Sequence, residues 1–124
     1  MRTLSAFLYI RYLIAMHSLS GGSGMRCVDI AQALHVTKPS VHRMMEMLSD
    51  KALVQKEKYG MVLLTENGRE LAVRYSAYYE IIYRFFCEEF ALPREDAVNA
   101  VFALLTKISD ERIGSMCEIM RNMS

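Results

Sequence analysis

The chain has few cysteines, no long apolar run and almost no net charge. Its three cysteines are an odd number without a disulfide spacing. That excludes a disulfide-stapled secreted scaffold and points to reduced thiols in a cytoplasm. No uninterrupted apolar stretch approaches the roughly 18 residues a membrane span requires. Arg11 interrupts the apolar opening MRTLSAFLYIRYLIAMHSL and no small-residue cleavage site follows it, so neither a span nor a signal peptide is expected. Also missing are a Ser/His/Asp or Cys/His constellation, paired carboxylates with a cleft, and a glycine-rich phosphate loop, so the chain reads as no enzyme. At 124 residues it has the size of one compact unit or two small ones sharing a core.

The net charge of +1 conceals a gradient. Residues 1–64 hold eight Lys or Arg against four Asp or Glu, a net +4, whereas residues 65–124 hold seven against ten, a net −3. The basic half is the candidate for phosphate contact, and the acidic half must serve another purpose.

Apolar spacing through Phe7, Ile10, Leu13 and Ile14 predicts an amphipathic first helix. SLSGGSGM, residues 18–25, reads as a turn. In DIAQALHV, Ile30, Ala31, Leu34 and Val36 form the inward side of a short helix. A second helix follows at once, with Thr37 as N-cap and Pro39 in the first turn, where its missing N–H costs nothing. Val41, Met44, Met45 and Leu48 recur at i, i+3, i+4 and i+7. Two short helices with a tight connection make a helix-turn-helix. ALVQKEKYGMVLLT then reads as two strands around a turn at Tyr59-Gly60, which completes a winged helix. A long helix capped by Thr65, a break at Leu92-Pro93, a helix over 94–108 and a last one capped by Ser109 and running toward Met120 finish the chain. The expected fold is mainly α with a small β-hairpin: a winged-helix DNA-binding domain over 1–65 and a helical dimerisation region over 66–124.

Thr37, Lys38, Pro39, Ser40, His42 and Arg43 lie off the apolar stripe near the N-terminal end of the second helix, the end that enters the major groove in helix-turn-helix proteins. Lys56, Lys58 and Tyr59 belong to the expected wing. Hydroxyls and amides there suit phosphate, and Arg43 suits guanine. The partner implied is double-stranded DNA.

Residues 29–72, DIAQALHVTKPSVHRMMEMLSDKALVQKEKYGMVLLTENGRELA, resemble the diphtheria-toxin-repressor (DtxR/MntR-like) family of iron- and manganese-dependent repressors, and FALPREDAVNAVFALLTKISDE resembles that family's loop and dimerisation helix. The resemblance implies a homodimer on a palindromic operator, ordered for DNA by metal. The metal ligands do not carry over. Aligned through Gly68-Arg69, the family's histidine falls on Tyr79 and the acid one turn later on Tyr83. The further ligands fall on Val98, Phe102, Leu105 and Thr106, and those of the first helix on Leu8 and Arg11. None of these keeps an expected ligand, and arginine repels a cation. The histidines, His17, His35 and His42, all lie in the N-terminal half, while Cys87, Glu88 and Glu89 are sequence neighbours that one helix points about 100° apart. No metal cofactor is therefore expected.

AYYEIIYRFF, residues 77–86, sets three tyrosines and two phenylalanines on one helix. Tyr79, Ile82, Tyr83 and Phe86 share a face, and Val98, Val101, Phe102 and Leu105 form a matching stripe on the next helix. Packed rings are expected where the family holds an ion. Phe85, Phe86, Phe90, Val101, Leu104 and Ile108 exceed what one helix face hides, which suggests a homodimer. One rival is a small-molecule effector pocket lined by Tyr78, Tyr79, Tyr83 and Phe102, as in a MarR-like regulator sensing an aromatic ligand. A thiol-sensing version would use Cys27, Cys87 or Cys117, of which only Cys27 has a basic neighbour, Arg26. A further rival is a winged-helix protein-interaction module without DNA binding.

Overall fold

The computed structural model describes the backbone of residues 4–20 and 24–123 and the side chains of residues 9–20 and 24–123. In chain order they form α1 (Leu4–Ser20), β1 (Met25–Arg26), α2 (Cys27–Leu34), α3 (Lys38–Asp50), β2 (Val54–Lys56), β3 (Met61–Leu64), α4 (Glu66–Glu89), α5 (Arg94–Lys107) and α6 (Asp110–Met123). The expected winged helix followed by helices is present. Among the described residues no helix is long and apolar enough to cross a membrane. The chain divides into two compact units, residues 9–73 and residues 74–124 with 1–8, so the division falls inside α4.

In the first unit α3 forms as its sequence dictates. The Thr37 hydroxyl accepts the Ser40 N–H at 3.2 Å, which satisfies one of the free amides of the first turn. Val41, Met44, Met45 and Leu48 are buried with Met16, Met25, Ile30 and Val62 in one apolar cluster. Each such side chain contributes roughly 1.5–3 kcal/mol by leaving water. Leu34, Val36 and Leu64 pack on the same cluster, half-buried.

Helix ends depart from the usual chemistry. Ala52, at φ 60°, terminates α3, with the Leu53 N–H returning to the Leu48 carbonyl at 2.9 Å. His35, at φ 55°, does the same for α2, where the Val36 N–H meets the Ala31 carbonyl at 3.1 Å. Left-handed residues after a helix satisfy its last carbonyls, a place glycine usually takes. None of the six glycines occupies these ends.

Of the turn expected over residues 18–25, residues 18–20 continue α1, residues 21–23 lie outside the described residues, and Met25 opens a strand that the sequence reading does not expect. β1 pairs with β3, Met25 opposite Val62 and Arg26 opposite Met61, and β2 flanks β3 on its other side with Val54 opposite Leu64. The first helix also differs from expectation. Ile10 and Leu13 are buried as expected, but Tyr12 and Met16 join them while Ile14 is half-buried. Phe7 lies outside the described side chains.

α4 starts against the end of α3. Thr65 accepts the Gly68 N–H at 3.0 Å and donates its hydroxyl to the Ala52 carbonyl at 2.7 Å. Gly68 lies so close to Leu53 that a β-carbon there would stand 1.9 Å from the Leu53 carbonyl oxygen. Only glycine permits that approach.

In the second unit Ile82, Ala97, Val101, Leu105, Ile113 and Cys117 are buried. The Tyr75 hydroxyl donates to Asp110 Oδ2 at 3.0 Å and so joins α4 to the first turn of α6. The Ser109 hydroxyl accepts the Arg112 N–H at 3.4 Å. α5 ends at Lys107, one residue short of expectation, and α6 runs three residues further, to Met123.

Candidate nucleic-acid interface

Burial of the α3 stripe leaves the other side of that helix to solvent. Lys38, Pro39, His42 and Arg43 are exposed and Ser40 is half-buried, all within the first two turns after the exposed cap Thr37. The polar groups form a chain: the Thr37 hydroxyl donates to Ser40 Oγ at 2.9 Å, and Arg43 Nη2 donates to the same oxygen at 3.3 Å. Two small residues thus hold a guanidinium. A preset Arg loses less side-chain freedom when it meets a base edge.

The wing continues this face. Lys58, Tyr59 and Gly60 make the turn between β2 and β3. Tyr59 (φ 62°, ψ 35°) and Gly60 (φ 74°) are both left-handed, and the Met61 N–H closes on the Lys58 carbonyl. Two successive positive φ values are what a type I′ hairpin turn needs. Lys56, Lys58 and Tyr59 are all exposed, as the wing reading requires. Lys56, however, is not a free cation: its ammonium pairs with Glu46 on α3. Glu46 escaped the sequence reading because its partner stands ten residues away. Exposed pairs of this kind contribute at most about 1 kcal/mol, so the bridge matters more for where it puts the wing than for stability.

The electrostatics of the unit follow the same split between inside and outside. Burial pushes the Tyr12 phenol up, while the guanidinium groups of Arg11 and Arg43 act in the opposite direction. Arg11 is half-buried on α1. Burial also raises Cys27, and Cys117 in the other unit, which keeps both as thiols and works against reactivity.

The positions that the family would use for metal lie elsewhere. Tyr79 and Tyr83 stack with ring centroids 5.8 Å apart and planes 6° from parallel, and Tyr79 meets Phe102 of α5 at 5.5 Å. Leu105 is fully buried, Val98 is half-buried, and the Thr106 hydroxyl donates to the Phe102 carbonyl at 2.8 Å within its own helix. Tyr83 shares a side-chain hydrogen bond with Cys87, which pushes the phenol up. Tyr78 turns its hydroxyl toward Gly114, so it does not join the other rings in a common lining. Leu8 lies outside the described side chains. Two neutral phenols, a threonine committed to its own helix and three hydrocarbon side chains do not fit iron or manganese, which take carboxylate, imidazole or thiolate. Among the described residues no three His, Cys, Asp or Glu side chains gather where an ion would sit.

The rest of the second unit is rich in exposed apolar surface. Phe85, Phe86 and Phe90 contact one another at 5.5–6.3 Å at the end of α4, and Phe90 is 59% exposed. Ile119 and Met123 on α6 are about as exposed.

Residues 16–58 match the IclR helix-turn-helix domain, less than half of the chain. No curated protein sequence matches it. Among solved structures, the manganese regulator SloR superposes with a TM-score of 0.72 at 24% identity, over 88% of this chain and 53% of that one. The metal-dependent transcriptional regulator MtsR gives a TM-score of 0.77 at 18% identity, over 90% and 53%. A hypothetical protein from Sulfolobus solfataricus gives 0.64 at 22% identity, over 91% and 87%. The chain spans about half the length of the two named regulators. Its fold is theirs: a winged helix-turn-helix followed by a helical region.

Proposed function

We propose that the chain is a winged-helix, DNA-binding transcriptional regulator. It acts as a homodimer on a palindromic operator, with packed rings in place of the metal that orders related folds. The observation that carries the reading is the Thr37–Ser40–Arg43 chain, which fixes an exposed guanidinium at the reading end of α3 on a winged-helix scaffold. Homodimer formation is supported by the exposed rings and apolar side chains of α4 and α6, since a symmetric pair is the commonest way to cover such a patch. Two recognition helices would then reach successive major grooves about 34 Å apart.

The test is binding to selected and random duplexes over a range of salt, with light scattering on the same sample. Specific binding with a steep salt slope by a dimer is expected. A chain that binds neither duplex would instead be an interaction module. Arg43→Ala should lose about 1–3 kcal/mol of discrimination at one base pair; an equal loss on selected and random DNA would make Arg43 a phosphate contact. Metal independence is tested separately. Chelator should leave operator affinity unchanged, and added Mn²⁺ or Fe²⁺ should not raise the melting temperature, because a ligand specific to the folded state must stabilise it. Operator binding that requires either ion overturns that part of the proposal.

A further inference from the structure

Two side chains of opposite charge stand at the middle of the solvent face of α3. At about 100° per residue, Arg43 and Glu46 each lie about 30° from the direction opposite the buried stripe of Val41, Met44, Met45 and Leu48. Both are exposed. They are three residues apart, about 4.5 Å along the axis, which is close to the step of about 3.4 Å between neighbouring base pairs. Asp50 shares this face but stands about 10 Å beyond Arg43, in the last turn of the helix.

An acid on such a face is unfavourable near DNA, because phosphates wall the groove on both sides. Two features of Glu46 offset the repulsion. Its Oε1 accepts from the Lys56 ammonium of β2, so the charge is balanced and the carboxylate is held from the wing. Among the described residues its Oε2 has no partner and remains an open acceptor. The arrangement mirrors that of Arg43: Thr37 and Ser40 fix a donor, and Lys56 fixes an acceptor one turn further on. A carboxylate accepts hydrogen bonds and donates none. In the major groove the amino donors are cytosine N4 and adenine N6, and adenine sets its N7 acceptor beside the amino group, where it repels a carboxylate. Cytosine is the base that fits.

We propose that Glu46 determines specificity by reading a cytosine amino group in the base pair next to the guanine that Arg43 suits, with Lys56 as the residue that positions its carboxylate. The inference rests on the DNA-binding reading above and deepens it from a single base contact to a preference at two adjacent pairs. It gives Lys56 a part in base discrimination although Lys56 touches no base.

The experiment takes duplexes that the full chain selects from a random pool and replaces each base pair of the site in turn. Affinities of the parent, Glu46→Gln, Glu46→Ala and Lys56→Gln are measured for every duplex, and melting temperatures confirm that each variant folds. In the parent, replacing one C·G pair beside an essential G·C pair should weaken binding by about 5- to 150-fold. Glutamine pairs bidentately with adenine N6 and N7, so Glu46→Gln should move the preference at that position from C to A. Glu46→Ala should abolish the preference there and keep the one at the neighbouring guanine. Lys56→Gln should narrow the preference for C without changing the base preferred. Unchanged base preferences in Glu46→Gln overturn the proposal and leave DNA binding intact; a slope of log affinity against log salt steeper by about 0.9 would then show that Glu46 only withholds Lys56 from phosphate. A Lys56→Gln variant with the parent's full preference overturns the positioning role of Lys56. A parent that selects no sequence overturns both this proposal and the DNA reading beneath it.

Discussion

Residues 9–73 and residues 74–123 use apolar material in opposite ways. The first unit encloses methionines and branched aliphatics around Met45 and Leu48, and it turns Lys38, His42, Arg43, Lys56 and Lys58 outward on α3 and the wing, together with Glu46, Asp50 and Glu57. The second buries a narrower set and leaves Tyr79, Tyr83, Phe85, Phe86 and Phe102 half-covered, with Phe90 in the open. A surface of fixed cations suits a polyanion, where attraction is long-ranged and salt-sensitive. Rings at a surface suit another protein surface, where energy comes from desolvation at contact. On the proposed reading, the difference gives separate tasks to the two units of a single short chain.

The largest effects should come from emptying each interior in turn. Leu48→Ala and Leu105→Ala each remove a fully buried leucine and should cost about 2–5 kcal/mol in urea unfolding. If the units are as distinct in energy as in composition, circular dichroism and tyrosine fluorescence will report separate midpoints in at least one variant. Coincident midpoints in both would make the chain a single cooperative unit and remove the energetic half of the contrast.

Gly68→Ala tests the start of α4. Its β-carbon would meet the Leu53 carbonyl oxygen, and because the obstacle is backbone, the expected loss is about 1–3 kcal/mol. A neutral result would mean that α4 can shift away from the end of α3 at little cost.

Thr37→Ala should lower stability by about 1 kcal/mol through the missing cap. It should also release Ser40 and Arg43, so selected DNA should suffer more than random DNA. Equal losses on the two duplexes would leave the hydroxyl a helix cap alone.

The smallest effect concerns alkaline pH. Each unit has one thiol that burial raises, Cys27 in the first and Cys117 in the second. The unfolded chain gives up these protons first. The stabilisation is therefore complete below the unfolded thiol value of about 8.5 and is lost as pH rises through the higher folded values. The melting temperature should fall from about pH 8.5 upward, and Cys27→Ala and Cys117→Ala should each remove part of that slope. A slope untouched by either variant would assign it elsewhere, with Tyr12, also raised by burial, the next candidate.

Helix α3 was legible because everything that makes it is local: a capping hydroxyl, a proline in the first turn and a stripe at helical spacing. The facing stripes on α4 and α5 were legible for the same reason, and Tyr79 does meet Phe102. β1 was not, because two residues have no periodicity and their partner β3 lies beyond α2 and α3. Missing β1 also hid the place of Arg26, which pairs with Met61 beside the wing turn. The ends of α2 and α3 carried no glycine to mark them, only His35 and Ala52 in the conformation glycine would adopt. Glu46 read as one more solvated charge on α3 until the wing folded back beside it.

The two-residue strand β1 also bears on the order in which the molecule assembles. β2 and β3 are joined by a tight turn and can pair in about 1–10 μs. β1 can add its rungs only after α2 and α3 have brought its distant sequence position alongside, and loop closure of that kind is slow. With two ladder positions and the buried Met25 side chain to retain it, β1 should be among the last parts to lock and the first to open. Short openings of this sort occur far below the free energy of global unfolding. The amides of Met25 and Arg26 should therefore exchange with deuterated solvent well before those of β3, and the arginine they carry would be presented and withdrawn on the timescale of that opening.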